Sequence, residues 1–211
     1  MSQLYNPYIK RALDIIIAPI ALALLAIPSI LVAIMIKLDS SGPIIFSHTR
    51  CGRNNQPFTL YKFRTVRDDA PHHTPSRAFK NRSHFTRVGR VLRKLSIDEI
   101  PQLYNVIRGD MSIVGPRPVL YVEEDLLNIR TANGSNKIRP GITGWAQVNG
   151  RDTLNATRKA QMDAHYADSL SFKIDLRCVL TSVWVILSKT GLVEGHEQKK
   201  DSQHDNQQVG A

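Results

Sequence analysis

Asp98 and Glu99 are neighbouring carboxylates in the run Lys94-Leu95-Ser96-Ile97-Asp98-Glu99-Ile100-Pro101-Gln102-Leu103, with Arg93 just upstream. Two helix starts compete here. Ser96 and Glu99 have the spacing of a capping box. Alternatively Asp98 is the cap, and Pro101 falls where its missing N–H costs nothing. Both place Asp98 at a helix N-terminus, where partial positive charge keeps a carboxylate ionised and attracts phosphate. An ionised carboxylate among cations can attack phosphorus as a nucleophile. Its neighbour can hold a magnesium ion that bridges phosphate oxygens. The plainer reading is that both residues only cap a helix.

Three further segments carry cations. In Gly115-Pro116-Arg117-Pro118 the arginine stands between two prolines, so its backbone is nearly fixed. Such a guanidinium either meets a phosphate at small entropic cost or decorates a rigid turn. Lys62 and Arg64 lie at the end of a predicted strand and share a face, where they either meet a pyrophosphate or line a wet sheet face. The segment 139–151, RPGITGWAQVNGR, is punctuated by glycines and has an arginine at each end, but it lacks the lysine and spacing of a nucleotide P-loop. GxSxG, HExxH and GxGxxG are absent.

The elements that must position these residues are mainly helical. Ile44–His48 and Phe58–Phe63 are rich in β-formers and predict a hairpin with a longish loop. Phe85, Val88, Leu92 and Leu95 recur at helical spacing, with Arg87, Arg90, Arg93 and Lys94 on the other face. Further helices are predicted over Ile97–Ile107, Val119–Ala132, Thr157–Leu170 and Asp175–Ser188. The last has Leu176, Leu180, Val183, Trp184 and Leu187 on one stripe, suited to a core or to a membrane interface. Arg67–Ser83 reads as a mobile loop, and the chain from Glu194 onward as a polar, disordered tail.

Upstream lies an uncharged run of 22 residues, Ile15–Ile36. A straight helix of that length is about 33 Å long, enough for a hydrocarbon core of about 30 Å. Pro19 and Pro28 interrupt it, and basic residues flank both ends, so the positive-inside rule gives no direction. A helix that enters the bilayer, bends at Pro28 and leaves on the same face satisfies both observations; a kinked spanning anchor is the alternative. The apolar run is too long for a signal peptide.

The 211 residues suggest one domain with its own core, and 42% hydrophobic content excludes a disordered chain. The formal net charge is +10, and the stretch from Arg50 to Lys94 alone has 12 Lys/Arg against Asp68 and Asp69. That charge predicts an anionic partner: phosphorylated substrate, membrane surface or nucleic acid. Nucleic acid is disfavoured, because no reading motif is present and such a protein needs no apolar anchor. Cys51 and Cys178 fit neither a disulfide framework nor a zinc module.

Six fragments occur in order: KRALD, the apolar run, KLDSSGPIIF, GRNNQPFTLYKFRT, LRKLSIDEIPQLYNVIRGDMSIVGPRP and RPGITGWAQVNGR. Together they resemble the bacterial sugar transferase family, the small monotopic phosphoglycosyl transferases, from Lys10-Arg11 to about Gly191. The resemblance implies an α+β, mainly helical fold: an N-terminal re-entrant membrane helix over 1–40, a small β-hairpin and amphipathic interface helices in a cytoplasmic catalytic domain over 41–193, then a tail over 194–211. It implies transfer of a sugar-1-phosphate from a UDP-sugar to polyprenol phosphate, usually undecaprenyl phosphate, with Mg2+ and release of UMP. This would be the first membrane step in assembling an O-antigen, capsule, exopolysaccharide or glycoprotein glycan at the bacterial inner membrane. By the same resemblance Asp98 is a nucleophile that forms a phosphosugar-aspartyl intermediate, Glu99 helps bind Mg2+, and Lys62, Arg93 and Arg117 hold phosphates. Relatives often carry Ser-Pro at the helix break, where this chain has Pro28-Ser29. The chain also resembles the minimal form of the family, without added N-terminal helices. The alternative from a different class is a non-enzymatic binder of anionic membrane surfaces, which explains the charge but not the surroundings of Asp98 and Glu99.

Overall fold

A computed structural model describes residues 7–67, 84–150 and 154–188. All of the predicted loop Arg67–Ser83 except Arg67, and the tail from 194, lie outside the described residues. The chain opens with α1 (Pro7–Leu24) and α2 (Ala26–Asp39). Among the described residues no single helix is long and apolar enough to cross a membrane; α1 and α2 meet that test only as a pair, bent by 58°. The hinge is Leu25, with φ −90° and ψ 4°, three residues before the expected bend at Pro28. The chemistry of proline accounts for the offset. Pro28 has no N–H for the Leu24 carbonyl, and its ring crowds that same carbonyl one turn back. The ladder is intact on either side, with Leu25 N donating to Ala21 O and Ser29 N to Leu25 O, both at 2.9 Å.

The polarity of α1 is inverted. Lys10, Asp14 and Ala18, four apart, are buried, whereas Ile15, Ile16, Ile17 and Ile20 are exposed. The buried charges are all engaged. Lys10 Nζ pairs with Asp175 at 2.6 Å, and Asp14 accepts from Ile113 N at 3.0 Å. Arg11 donates to the carbonyls of Val106 and Ile107. In α2 the exposed residues Ile27, Ile30, Leu31, Ile34 and Met35 continue the apolar surface. Burying one such side chain is worth about 1.5–3 kcal/mol, so this helix pair would be a poor solution for water.

An antiparallel hairpin follows, β1 (Ile45–Cys51) and β2 (Pro57–Phe63), in register from Ile45 opposite Phe63 to Cys51 opposite Pro57. Strand β1 runs three residues beyond the predicted end because Cys51 also pairs with Val119. Then come α3 (Arg87–Lys94), a 3-10 turn (Ile97–Glu99) and α4 (Gln102–Arg108). The core joins these to α1: Ala18, Leu60, Leu103, Val106 and Met111 form one cluster, and Val32, Ile36, Phe63 and Leu92 a second.

A second sheet was not expected. Strands β3 (Ser112–Val114) and β4 (Gly141–Thr143) pair in parallel, and α5 (Glu124–Ala132) lies between them in the chain. Here backbone lies on backbone: a Cβ on Gly141 would meet Gly115 N at 2.1 Å, and one on Gly144 would meet Gly115 O at 2.0 Å. The described residues end with α6 (Trp145–Val148), α7 (Ala156–Asp168) and α8 (Phe172–Ser188). Helix α8 buries Asp175 and Cys178 and exposes Phe172, Leu176, Leu180, Val183 and Trp184, so four residues of the predicted stripe do face outward.

Candidate active site

The carboxylate pair lies on a tight turn, and neither predicted helix start is realised. Ser96 adopts left-handed backbone, φ 54° and ψ 21°, and its side chain caps nothing. Successive bonds then run three residues back: Glu99 N to Ser96 O, Ile100 N to Ile97 O, Leu103 N to Ile100 O and Tyr104 N to Pro101 O. Pro101 interrupts the series, so α4 begins only at Gln102 and Asp98 precedes it by a full turn. A serine held in the left-handed region costs about 1–2 kcal/mol. The turn is pinned by Ile97 and Ile100, which pack on the Val32–Phe63–Leu92 cluster. Asp98 is only 5% exposed.

Strand β2 brings Lys62 to this turn. Burial pushes the Lys62 ammonium below its ordinary value, Asp98 and then Glu99 hold it up, and Arg117 and Arg93 lower it further. Four of the five other charged residues singled out in the sequence thus act on Lys62. Arg117 Nη1 stands 3.8 Å from Glu99, a long and partly exposed pair worth at most about 1 kcal/mol. Arg93 lies over the Phe85 ring at 4.8 Å. The sixth residue, Arg64, is not brought to the cluster. It is buried, and its guanidinium donates to the carbonyls of Ser40 and Ser41 and to the Ser40 hydroxyl. The strand continues past Phe63 toward the end of α2, so a residue two positions from Lys62 serves that junction instead.

Three supports are absent from the sequence reading. Asn105, fully buried, accepts from Tyr61 N at 3.0 Å and donates to Thr59 O at 2.7 Å, fixing α4 along the outer edge of β2 beside Lys62. Arg130 donates to the Arg117 carbonyl at 3.0 Å and is itself gripped by Asp163 at 2.6 and 2.9 Å. The proline-flanked loop is held on its other side by Gly115 N to Thr143 O and Gly141 N to Pro116 O. A signal for the Arg130–Asp163 pair did exist. Arg130 follows buried Leu126 by four residues, and Asp163 sits three from both Ala160 and Tyr166, so each charge falls on a core-facing helix stripe.

No three metal-ligating side chains converge among the described residues. Mg2+ needs no such cage, since it is commonly held by one or two carboxylates together with substrate phosphates and water. Glu99, partly exposed beside the buried Asp98, is a carboxylate of that kind. Next to Glu99 and Arg117 a groove of about 230 Å3 opens between α4, β4, α6 and α8.

The family described as bacterial sugar transferase matches residues 5–189. The chain is 37% identical over 186 residues to the uncharacterized sugar transferase EpsL of Bacillus subtilis, covering 87% of this chain and 90% of that one. It is 41% identical over 188 residues to the UDP-glucose:undecaprenyl-phosphate glucose-1-phosphate transferase of Caulobacter vibrioides, covering 85% and 70%. With the UDP-N-acetylgalactosamine-undecaprenyl-phosphate N-acetylgalactosaminephosphotransferase of Aeromonas hydrophila it shares 38% over 189 residues, 87% of this chain but 45% of that protein.

Proposed function

Because the chain belongs to the bacterial sugar transferase family and is, by that membership, a phosphoglycosyl transferase, we propose that it transfers a sugar-1-phosphate from a UDP-sugar to polyprenol phosphate, releasing UMP. The observation that carries the reading is the gathering of the buried Asp98, its neighbour Glu99, Arg93 and Arg117 within electrostatic reach of Lys62, with Arg117 3.8 Å from Glu99. Both substrates are anionic, and preorganised cations stabilise charge on the transferring phosphorus. An Asp98 oxygen attacks the phosphorus that bears the sugar. The bond from that phosphorus to the UMP oxygen breaks, and an acyl phosphate forms. An oxygen of the lipid phosphate then attacks the same phosphorus and restores the carboxylate. Lys62, Arg93 and Arg117 hold the phosphate oxygens through both steps. Glu99, with oxygens of the donor, would hold Mg2+, which when bound supplies further neutralisation of phosphate charge.

The bent pair α1–α2 then enters and leaves the bilayer on one face. Residues 1–40 form the membrane-inserted part, and 41–193 the catalytic part on the cytoplasmic face of the inner membrane. Exposed isoleucines, the 58° bend and the apolar outer face of α8 support this placement. The excess of positive charge is accounted for by phosphates and anionic lipid, without nucleic acid. The test is a UMP-release screen over UDP-sugars with undecaprenyl phosphate and Mg2+ in detergent. One sugar giving acceptor-dependent turnover is the expected outcome; membrane binding with no UMP from any sugar would return the protein to the class of surface binders.

A further inference from the structure

The groove beside Glu99 and Arg117 has a charged mouth and an apolar interior. Ser96, Glu99 and Arg117 form the mouth; Ile142, Val148, Val185 and Ile186 line the walls. The wall's polar side chains are largely spent on one another. Ser182 donates to Cys178 O and accepts from Thr143, while Gln147 Nε2 donates to Ile142 O. Gln147 Oε1 is a buried acceptor without a partner. One acceptor is poor provision for the several hydroxyls of a sugar, each of which would lose its water there. A hydrocarbon needs no such partners. Helix α8 turns Val185 and Ile186 into the groove and exposes Leu180, Val183 and Trp184 on its outer face. An apolar chain leaving the groove therefore passes onto an apolar surface, with its anionic end at Arg117.

We propose that this groove seats the first isoprene units of the prenyl phosphate acceptor, with the lipid phosphate at Arg117. The inference rests on the acceptor class proposed above and adds where its hydrocarbon lies: against α8 and β4, not along the α1–α2 pair. The probe is farnesyl phosphate carrying a diazirine in its first isoprene unit, photolysed with the full chain in detergent and mapped by peptide mass spectrometry. The expected adducts fall within 142–148 or 182–186 and are displaced by undecaprenyl phosphate but not by undecaprenol. Val185→Trp, which fills the groove, should raise the acceptor KM about tenfold or more, while UMP released without acceptor stays at the wild-type amount. Adducts confined to α1 and α2, labelling that undecaprenol displaces equally, or an unchanged acceptor KM in Val185→Trp would each overturn the proposal. Photolabelling of the wild-type chain decides even if the variant does not fold. Absence of UMP release from the wild type would count against the transferase reading alone, because displacement by lipid phosphate still reports the groove.

Discussion

Lys62 carries a charge that its surroundings contest. Burial lowers its affinity for the proton, and the two carboxylates only partly restore it. If the ammonium holds a donor phosphate, kcat/KM for the UDP-sugar should fall at a pH below the ordinary lysine value of about 10.4. Lys62→Arg, which stays charged, should move that fall upward in any activity it retains; a pH profile of both proteins checks this. The sign for stability is opposite to that of a salt-bridged lysine. The folded chain binds this proton less tightly than the unfolded chain, so the penalty is complete below the folded value and relieved as pH rises toward 10.4. Urea midpoints should climb over that window in the wild type and flatten in Lys62→Met. Arg117 is the second case. Lysine keeps the charge but not the fork that grips two oxygens, so Arg117→Lys should cost about 1.5–3 kcal/mol, roughly 10- to 150-fold in rate, with little change in thermal midpoint. Full activity in Arg117→Ala would remove it from phosphate binding. Most of this constellation was legible because Arg93, Asp98 and Glu99 are close in sequence and Arg117 is marked by its prolines. Arg64 was misplaced because a strand's alternation gives its face but not what lies past its end.

The supporting elements hold the site through buried polar bonds that span long stretches of chain. Arg130 and Asp163 are 33 positions apart, and Asn105 reaches Thr59 across 46. Such partners cannot be paired from the sequence, although a charge on a core-facing stripe marks each end. Breaking a buried pair strands its partner, so Arg130→Leu should destabilise the fold by about 3–5 kcal/mol. Arg130→Leu with Asp163→Leu should recover part of that loss, because both desolvated charges are then gone. Chemical denaturation of Arg130→Leu, Asp163→Leu and the double variant measures the coupling, and equal losses in the single and double variants would refute it. The parallel strands β3 and β4 were missed for another reason. Three residues are too few for an alternation to register, and in Gly141-Ile142-Thr143 the glycine that permits close backbone approach reads as a turn. Helices α3, α7 and α8 lie within three residues of their expected bounds, whereas α5 starts five residues after the expected Val119, which is bridged to Cys51 instead. The start of α4 was not, because the capping rules presume an α-turn at Ser96 and the chain makes a left-handed one.

At the scale of the whole molecule, an apolar bent pair is fastened to a strongly basic remainder by the buried Lys10–Asp175 bridge. A same-side return predicts that Gln3→Cys and Asp205→Cys are both shielded from a periplasmic thiol reagent in intact cells. The native thiols should give little background. Both are buried, and burial, followed by the Asp175 carboxylate, pushes Cys178 up to about 11. Periplasmic labelling at position 3 would defeat the re-entrant arrangement, and Pro28→Ala should increase such labelling by letting the pair straighten. A same-side return would place a water-soluble donor and a lipid acceptor at one carboxylate, which suits the proposed reaction in two halves with the sugar phosphate stored on the protein between them. The most direct test of that claim is the UMP released by purified enzyme with its UDP-sugar and Mg2+ but no acceptor. The account predicts a burst approaching one UMP per enzyme, a sugar-phosphate adduct located on Asp98 by peptide mass spectrometry, and no burst from folded Asp98→Asn. A wild-type enzyme that turns over with acceptor yet gives no burst without it, or an Asp98→Asn burst equal to the wild type, would contradict it.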